Sequence, residues 1–275
     1  MLLRYLFSRH DRDGVDADGA FRLRGAGVSR LEGLSDTVFG FAITLLVIST
    51  TAPATAVELL ALQHRLLPFV ASFTVLFIVW RAQFDFFRRF GLEDRRTVML
   101  TGVLLMIVLL AIYPLRFLSG FLLDTLPAAL LAHDDSMKRI MPMDMFPRVV
   151  LLYALGLGGV SAVFALLYRH AAQQHVSLAL GELELFDTRS LQRRFAGMAL
   201  LSGAIALWCV GMLSLGADHI RARDKSWLLG YGSMYLIAGI FGVARTISRG
   251  RRARTRAAII ADAPSPGATL RAHTP

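Results

Sequence analysis

Residues 33–53 read GLSDTVFGFAITLLVISTTAP, and this stretch decides the fold class because it is long and apolar enough to cross a bilayer. A helix of about 20 residues spans a hydrocarbon core of about 30 Å. Similar stretches follow along the 275-residue chain at about 61–84, 97–123, 148–168, 195–216 and 226–246. A backbone in lipid must satisfy its own hydrogen bonds, so these stretches form helices. The sequence therefore predicts an all-α, polytopic membrane protein with about six transmembrane helices.

The composition agrees with a membrane protein and argues against a nucleic-acid partner. Hydrophobic residues make up 55% of the chain and charged residues only 18%, and the mean hydropathy is +0.54. The formal net charge is +10, but the basic residues cluster at the ends of the apolar stretches. The positive-inside rule and anionic headgroups account for such clusters. Membrane lipid is the expected partner of these charges.

The chain lacks the usual sequence motifs of enzymes and metal sites. It has no HExxH, no GxSxG and no glycine-rich phosphate loop. Cys209 is its single cysteine, so it makes no intrachain disulfide. Residues 230–232 read GYG, which is the core of a carbonyl potassium filter but also suits close helix packing. We predict no enzymatic activity, no metal site and no cofactor.

Charge and composition divide the chain into three parts. Residues 1–29 form a charged arm, 30–246 the transmembrane domain, and 247–275 a basic tail. Arginines are concentrated between the second and third spans, at the end of an amphipathic polar stretch at 169–194, and in the tail. Placing them inside predicts that both termini are cytoplasmic and that the 124–147 loop is outside.

The first span carries an ionisable residue, Asp36, a short way into the apolar helix. A charge in lipid is costly and normally faces a partner or water. One interpretation is that Arg30 and Asp36 meet groups on other helices. The other is that Arg30 extends to the interface while Ser35 and Asp36 cap the helix.

The same span presents a stripe of side chains at helical spacing. Phe41, Thr44 or Leu45, and Ile48 obey the i, i+3/i+4, i+7 pattern and so share one face. Such a stripe lines a pore in some proteins and packs against neighbouring helices in others.

The motif at 30–36, RLEGLSD, followed by Val38, Phe39 and the 42–47 segment AITLLV, resembles the first-helix signature of the transmembrane protein 175 family. That signature is an arginine, three residues and then Phe-Ser-Asp. Family members are potassium channels of bacteria, archaea and animal endolysosomes. The resemblance extends over about 30–116.

This resemblance implies a bacterial inner-membrane homotetramer of six-span subunits, with the first helix of each lining one central pore. It implies an apolar constriction, no carbonyl filter, and K⁺ as the permeant ion rather than a cofactor. By position in the motif, Phe41 matches the first constriction, Thr44 a threonine implicated in selectivity, and Ile48 the next apolar position.

The chain departs from the family pattern at three positions. Leu34 replaces the motif Phe, and Phe41 replaces the usual Ile or Leu. The family also has Trp, two residues and then His on its second helix, where this chain has Trp80 and Gln83. Gln83 can hydrogen-bond Asp36 but cannot titrate. Two alternatives to a channel remain. One is a secondary transporter, and the other is a non-conducting membrane module that engages a partner through its basic tail or a helix at 169–194.

Overall fold

The computed structural model describes residues 21–25, 27–48, 54–121, 123 and 145–214. Within these ranges the chain forms five helices: α1 (Arg30–Ile48), α2 (Ala56–Phe90), α3 (Arg95–Gly120), α4 (Phe146–Gln173) and α5 (Glu182–Ser214). All five are long and apolar enough to cross a membrane. An all-helical fold with five helices capable of crossing a membrane is thus confirmed for this part of the chain. The predicted sixth span at 226–246, the GYG at 230–232, the first twenty residues, the tail and most of the 124–147 loop lie outside the described residues.

Helix α1 begins earlier than the apolar pattern predicts because a local motif caps it. The Ser29 hydroxyl accepts a hydrogen bond from the Glu32 backbone N–H at 3.0 Å. This is the serine-first half of an S-x-x-E capping box. Ser35 and Asp36 therefore lie on the second turn, and the interpretation that they cap the helix is wrong.

Helices α2 and α3 are joined by a tight turn at 91–94. Gly91 adopts a positive φ of 59°, a conformation that favours glycine after a helix end. Asp94 then caps α3, accepting hydrogen bonds from the Thr97 hydroxyl at 2.6 Å and the Arg96 backbone N–H at 3.3 Å. Both helices continue through an internal proline, Pro68 in α2 and Pro114 in α3.

Helices α4 and α5 form a hairpin with the most extensive helix–helix contact of the described chain. The predicted amphipathic stretch at 169–194 is not one helix. Its first residues complete α4, residues 174–181 form a turn, and the remainder begins α5. The turn contains Ala179 at a positive φ of 46°, which breaks the helical path.

Helix α3 contacts α1, α2 and α4 and so lies at the centre of the described bundle. An aromatic cluster fills the end of the bundle at which α2 and α4 finish. The Phe86, Phe90 and Tyr168 rings contact one another with centroids 5.1–5.9 Å apart. Phe164 and Phe195 extend this cluster onto α5. Large rings buried together in this way stabilise the fold strongly.

Residues 21–25, which the sequence places in the N-terminal arm, pack directly beneath this cluster. Phe21 is buried edge-to-face against Phe90. The backbone N–H groups of Arg24 and Gly25 both donate to the Arg88 carbonyl at 3.1 Å. A Cβ on Gly25 would lie 2.7 Å from the Phe87 carbonyl oxygen, so only glycine allows this approach. The arm thereby ties the start of α1 to the end of α2.

Candidate pore-lining face of the first helix

Helix α1 has one face that packs against its own subunit. Phe39, Ala42 and Leu46 are each at most 2% exposed and belong to the main apolar cluster. Their spacing of three and four residues puts them on a single side of the helix. This side faces α2 and α3, since α1 contacts both helices.

The opposite face of α1 is exposed although it carries large apolar side chains. Phe41 is 63% exposed and Ile48 is 69% exposed, and Thr44 lies between them, also exposed. Leu45, by contrast, is half-buried and packs against the apolar cluster. The exposed stripe therefore runs through Thr44 rather than Leu45.

Polar contacts join α1 to α2 one to two turns before this stripe. The Gln83 side-chain amide donates to the Ser35 hydroxyl at 2.9 Å, and this hydroxyl donates to the Leu31 carbonyl at 2.8 Å. The Trp80 indole N–H donates to the Asp36 carboxylate at 2.8 Å. The predicted Gln83–Asp36 contact is thus replaced by two separate contacts, with Trp80 serving Asp36.

Two other motif residues stay outside these contacts. Arg30 and Leu34 are exposed and lie on the face that carries Phe41. Among the described residues, Arg30 has no hydrogen-bond or ion-pair partner. The structure therefore brings together Ser35, Asp36, Trp80 and Gln83, without Arg30 and Leu34.

An ion pair that the sequence analysis missed holds the arm to the α4–α5 turn. Arg24 contacts Glu184 at 2.6 Å with both side chains largely buried. The same guanidinium donates to the Leu178 and Ala179 carbonyls at 2.7 and 3.1 Å. Glu184 also accepts from the backbone N–H groups of Arg22 and Gly181 at 2.6 and 3.0 Å.

A second unpredicted contact lies at the same end of the bundle. His170, near the end of α4, contacts Asp94 at 2.8 Å. Burial alone raises the pKa of Asp94, but the hydrogen bond from Thr97 and the proximity of His170 outweigh it and lower that pKa below its ordinary value. Asp94 is therefore ionised at neutral pH.

No group of three or more His, Cys, Asp or Glu side chains suited to a metal ion occurs in the ranges that the structure describes. The candidate functional feature is accordingly the exposed face of α1 and the polar contacts that orient it.

The Gln83 contact leads to a stability prediction. Gln83 is 2% exposed, so Gln83→Ala removes the Ser35 hydrogen bond and leaves a cavity, which lowers the free energy of unfolding by about 2 kcal/mol. Gln83→Met keeps the volume, loses this hydrogen bond and also removes the buried Gln83 Oε1, which has no partner among the described residues, so its cost should be smaller, at about 1 kcal/mol. Thermal unfolding in detergent measures both. A Met variant as stable as the native protein would show that the hydrogen bond contributes nothing.

The sequence of this chain is similar to those of known potassium channels. The family model described as "Endosomal/lysosomal potassium channel TMEM175" matches residues 30–111, which include α1, α2 and most of α3. A potassium channel of Marivirga tractuosa is 34% identical over 172 residues, which are 62% of this chain and 70% of the relative. A potassium channel of Chamaesiphon minutus is 28% identical over 203 residues, covering 70% and 90% of the two chains.

A solved structure agrees with these matches. The crystal structure of a threonine-to-alanine variant of the potassium channel MtTMEM175, in complex with a nanobody–MBP fusion, superposes with a TM-score of 0.70 at 27% identity. The match covers 84% of this chain and 97% of that one. The family consists of potassium channels and not of enzymes. By its motif, its relatives and its fold, this chain belongs to the TMEM175 family of potassium channels.

Proposed function

We propose that this protein is a potassium-permeable channel whose pore is lined by α1. The observation that carries the proposal is the exposed face through Phe41, Thr44 and Ile48. These side chains face away from their own subunit, on a helix whose other face is buried. Exposed apolar side chains need a neighbour or lipid, and an α1 helix from another copy provides such a neighbour.

Four subunits around one axis would place this face of α1 at the centre. Each subunit would contribute the five described helices and the predicted span at 226–246. The description of the relatives as potassium channels supports a pathway for K⁺ through the protein. At the axis, four Phe41 rings would form an apolar constriction, and such constrictions gate by losing water.

Selection in such a pore would rest on side chains and not on a carbonyl filter. Backbone carbonyls inside an α-helix accept hydrogen bonds from its own N–H groups and so do not replace an ion's hydration shell. The Thr44 hydroxyl donates to the Gly40 carbonyl at 2.9 Å, which leaves its oxygen lone pairs available. Thr44 is therefore the residue of the stripe best suited to meet a partly hydrated K⁺. K⁺ is the permeant ion here, and the proposal includes no cofactor.

In a bacterial inner membrane, the distribution of charge supports a cytoplasmic location for the N-terminal arm, and an even number of spans would put the C-terminus on the same side. Basic side chains gather where α2 and α4 end and where α3 begins, namely Arg88, Arg89, Arg95, Arg96 and Arg169. Positive charge marks the cytoplasmic ends of membrane helices. Since α1 begins and α2 ends at this same side, the N-terminal arm would be cytoplasmic.

Cysteine modification at the stripe tests whether it lines a pore. The native Cys209 is fully buried and is first replaced in Cys209→Ser. We expect that a charged methanethiosulfonate reagent abolishes most K⁺ flux into proteoliposomes made with Thr44→Cys, because it puts four charged groups across the ion path.

The matched control is Leu110→Cys in the same background, at a position on α3 that is 70% exposed. The methanethiosulfonate reagent should leave the K⁺ flux of this control unchanged. Comparable inhibition at both positions would argue against a pore along α1. A K⁺ flux that saturates at low K⁺ concentration would instead favour a transporter. The absence of K⁺ flux under all conditions would favour a non-conducting module.

A further inference from the structure

An open groove of about 480 Å³ lies between the start of α3 and the end of α4. Its rim carries three arginines, two on the first turn of α3 and one on the last turns of α4: Arg95, Arg96 and Arg169. All three are exposed. None of them forms an ion pair with another residue in the part of the chain that the structure describes. The groove therefore concentrates positive charge.

The two carboxylates beside this groove, Glu93 and Asp94, offset only part of the charge of its three arginines. The Asp94 carboxylate contacts the Thr97 hydroxyl at 2.6 Å and the His170 Nε2 at 2.8 Å. Glu93 is exposed but does not line the groove. Among the described residues, the lining contains no carboxylate. An anionic group entering the groove would meet the arginines without competition from a lining acid.

The part of the groove that lies further from these helix ends is apolar. Met99 and Leu100 on α3 and Leu166 on α4 line it, about one turn from the arginines toward the middle of both spans. Met99 is 64% exposed and Leu166 is 46% exposed. The groove thus changes from cationic to apolar along the direction from the membrane surface to the hydrocarbon core.

We infer that this groove binds an anionic phospholipid, with its phosphate between the arginines of α3 and α4 and the start of an acyl chain along Met99 and Leu166. Basic pockets between membrane helices at the cytoplasmic side suit anionic headgroups. Guanidinium groups recognise phosphate through paired N–H donors. A soluble anion would not use the apolar wall, which therefore favours a lipid. The inference stands apart from the proposed pore and holds whether or not the protein conducts.

Native mass spectrometry of the full-length protein in detergent tests the inference, with phosphatidylglycerol and phosphatidylcholine as probes. We expect the native protein to retain phosphatidylglycerol at least about tenfold more tightly, given the contribution of each basic residue near an anionic headgroup. The double variant Arg96→Gln/Arg169→Gln should bind phosphatidylglycerol about thirtyfold more weakly, at about fivefold per charge. Arg96→Lys/Arg169→Lys should retain most of the binding, because the charge is kept.

The matched control is Arg148→Gln, an exposed arginine at the opposite end of α4, which should leave lipid binding unchanged. Equal retention of the two lipids by the native protein would overturn the inference, as would equal losses in the control and the double variant. Displacement of phosphatidylglycerol by millimolar inorganic phosphate would also overturn it, because the groove would then be a site for free anions.

Discussion

Phe41→Ala is expected to raise K⁺ flux into proteoliposomes by about tenfold, equivalent to lowering the barrier by about 1.4 kcal/mol. The Phe41 ring is 63% exposed and projects away from the subunit core. In the proposed tetramer, four such rings would narrow the path and exclude water, and alanine would widen it. Because Phe41 has few contacts within its own subunit, its removal should leave the stability of the monomer almost unchanged.

The control for this measurement is Phe117→Ala, the same substitution at a ring on α3 that is 43% exposed. It should leave the flux within about twofold of native, because α3 does not line the proposed pore. Greater flux in both variants would point to general leakage of the bilayer. An unchanged flux in Phe41→Ala, with native conduction intact, would mean that the constriction lies elsewhere.

Arg24→Ala is expected to lower the free energy of unfolding by about 3 kcal/mol, because it leaves Glu184 as a largely buried charge without its partner. It also removes the hydrogen bonds to the Leu178 and Ala179 carbonyls. For a chain of this size, the loss corresponds to a fall of about 6–12 °C in Tm. Thermal unfolding of the detergent-solubilised protein measures this change.

Arg22→Ala is the matched control, since it removes an exposed guanidinium two residues away. The contacts of Arg22 to Glu184 and Arg24 use its backbone atoms, which alanine retains. We expect its Tm to stay within about 1 °C of native, as for most exposed substitutions. Equal losses for the two variants would show that the net charge of the arm, and not the Arg24–Glu184 contact, stabilises this end.

The start of α1 shows how far local pattern predicts structure. Apolar length predicts that the first span starts at 33, whereas the helix begins at Arg30. The difference arises from Ser29 and Glu32, whose S-x-x-E spacing is visible in the sequence and marks a helix start. The stretch at 169–194 is a different case. Its amphipathic pattern predicts one helix, but the turn at 174–181 divides it between α4 and α5.

Local sequence pattern does not predict which polar residues pair when they are far apart in the chain. Arg24 and Glu184 are 160 residues apart, and the chain has 30 basic and 20 acidic residues from which to choose pairs. Nothing in the spacing selects this pair. The same reason explains why Gln83 was expected to contact Asp36. Both Ser35 and Asp36 lie within reach of α2, and only the packing of the two helices assigns Ser35 to Gln83 and Asp36 to Trp80.

By itself, the sequence determined that the chain crosses a membrane as helices and that it carries the first-helix motif of its family. Both features are local, because hydrocarbon thickness sets helix length and a motif lies within one segment. The tertiary structure decided which face of α1 is buried and which is exposed. Both faces of this helix carry large apolar side chains, so hydrophobic periodicity does not show which face is buried. Contact with α2 and α3 covers Phe39 and Ala42. The same contact leaves Phe41 and Ile48 exposed on the other face.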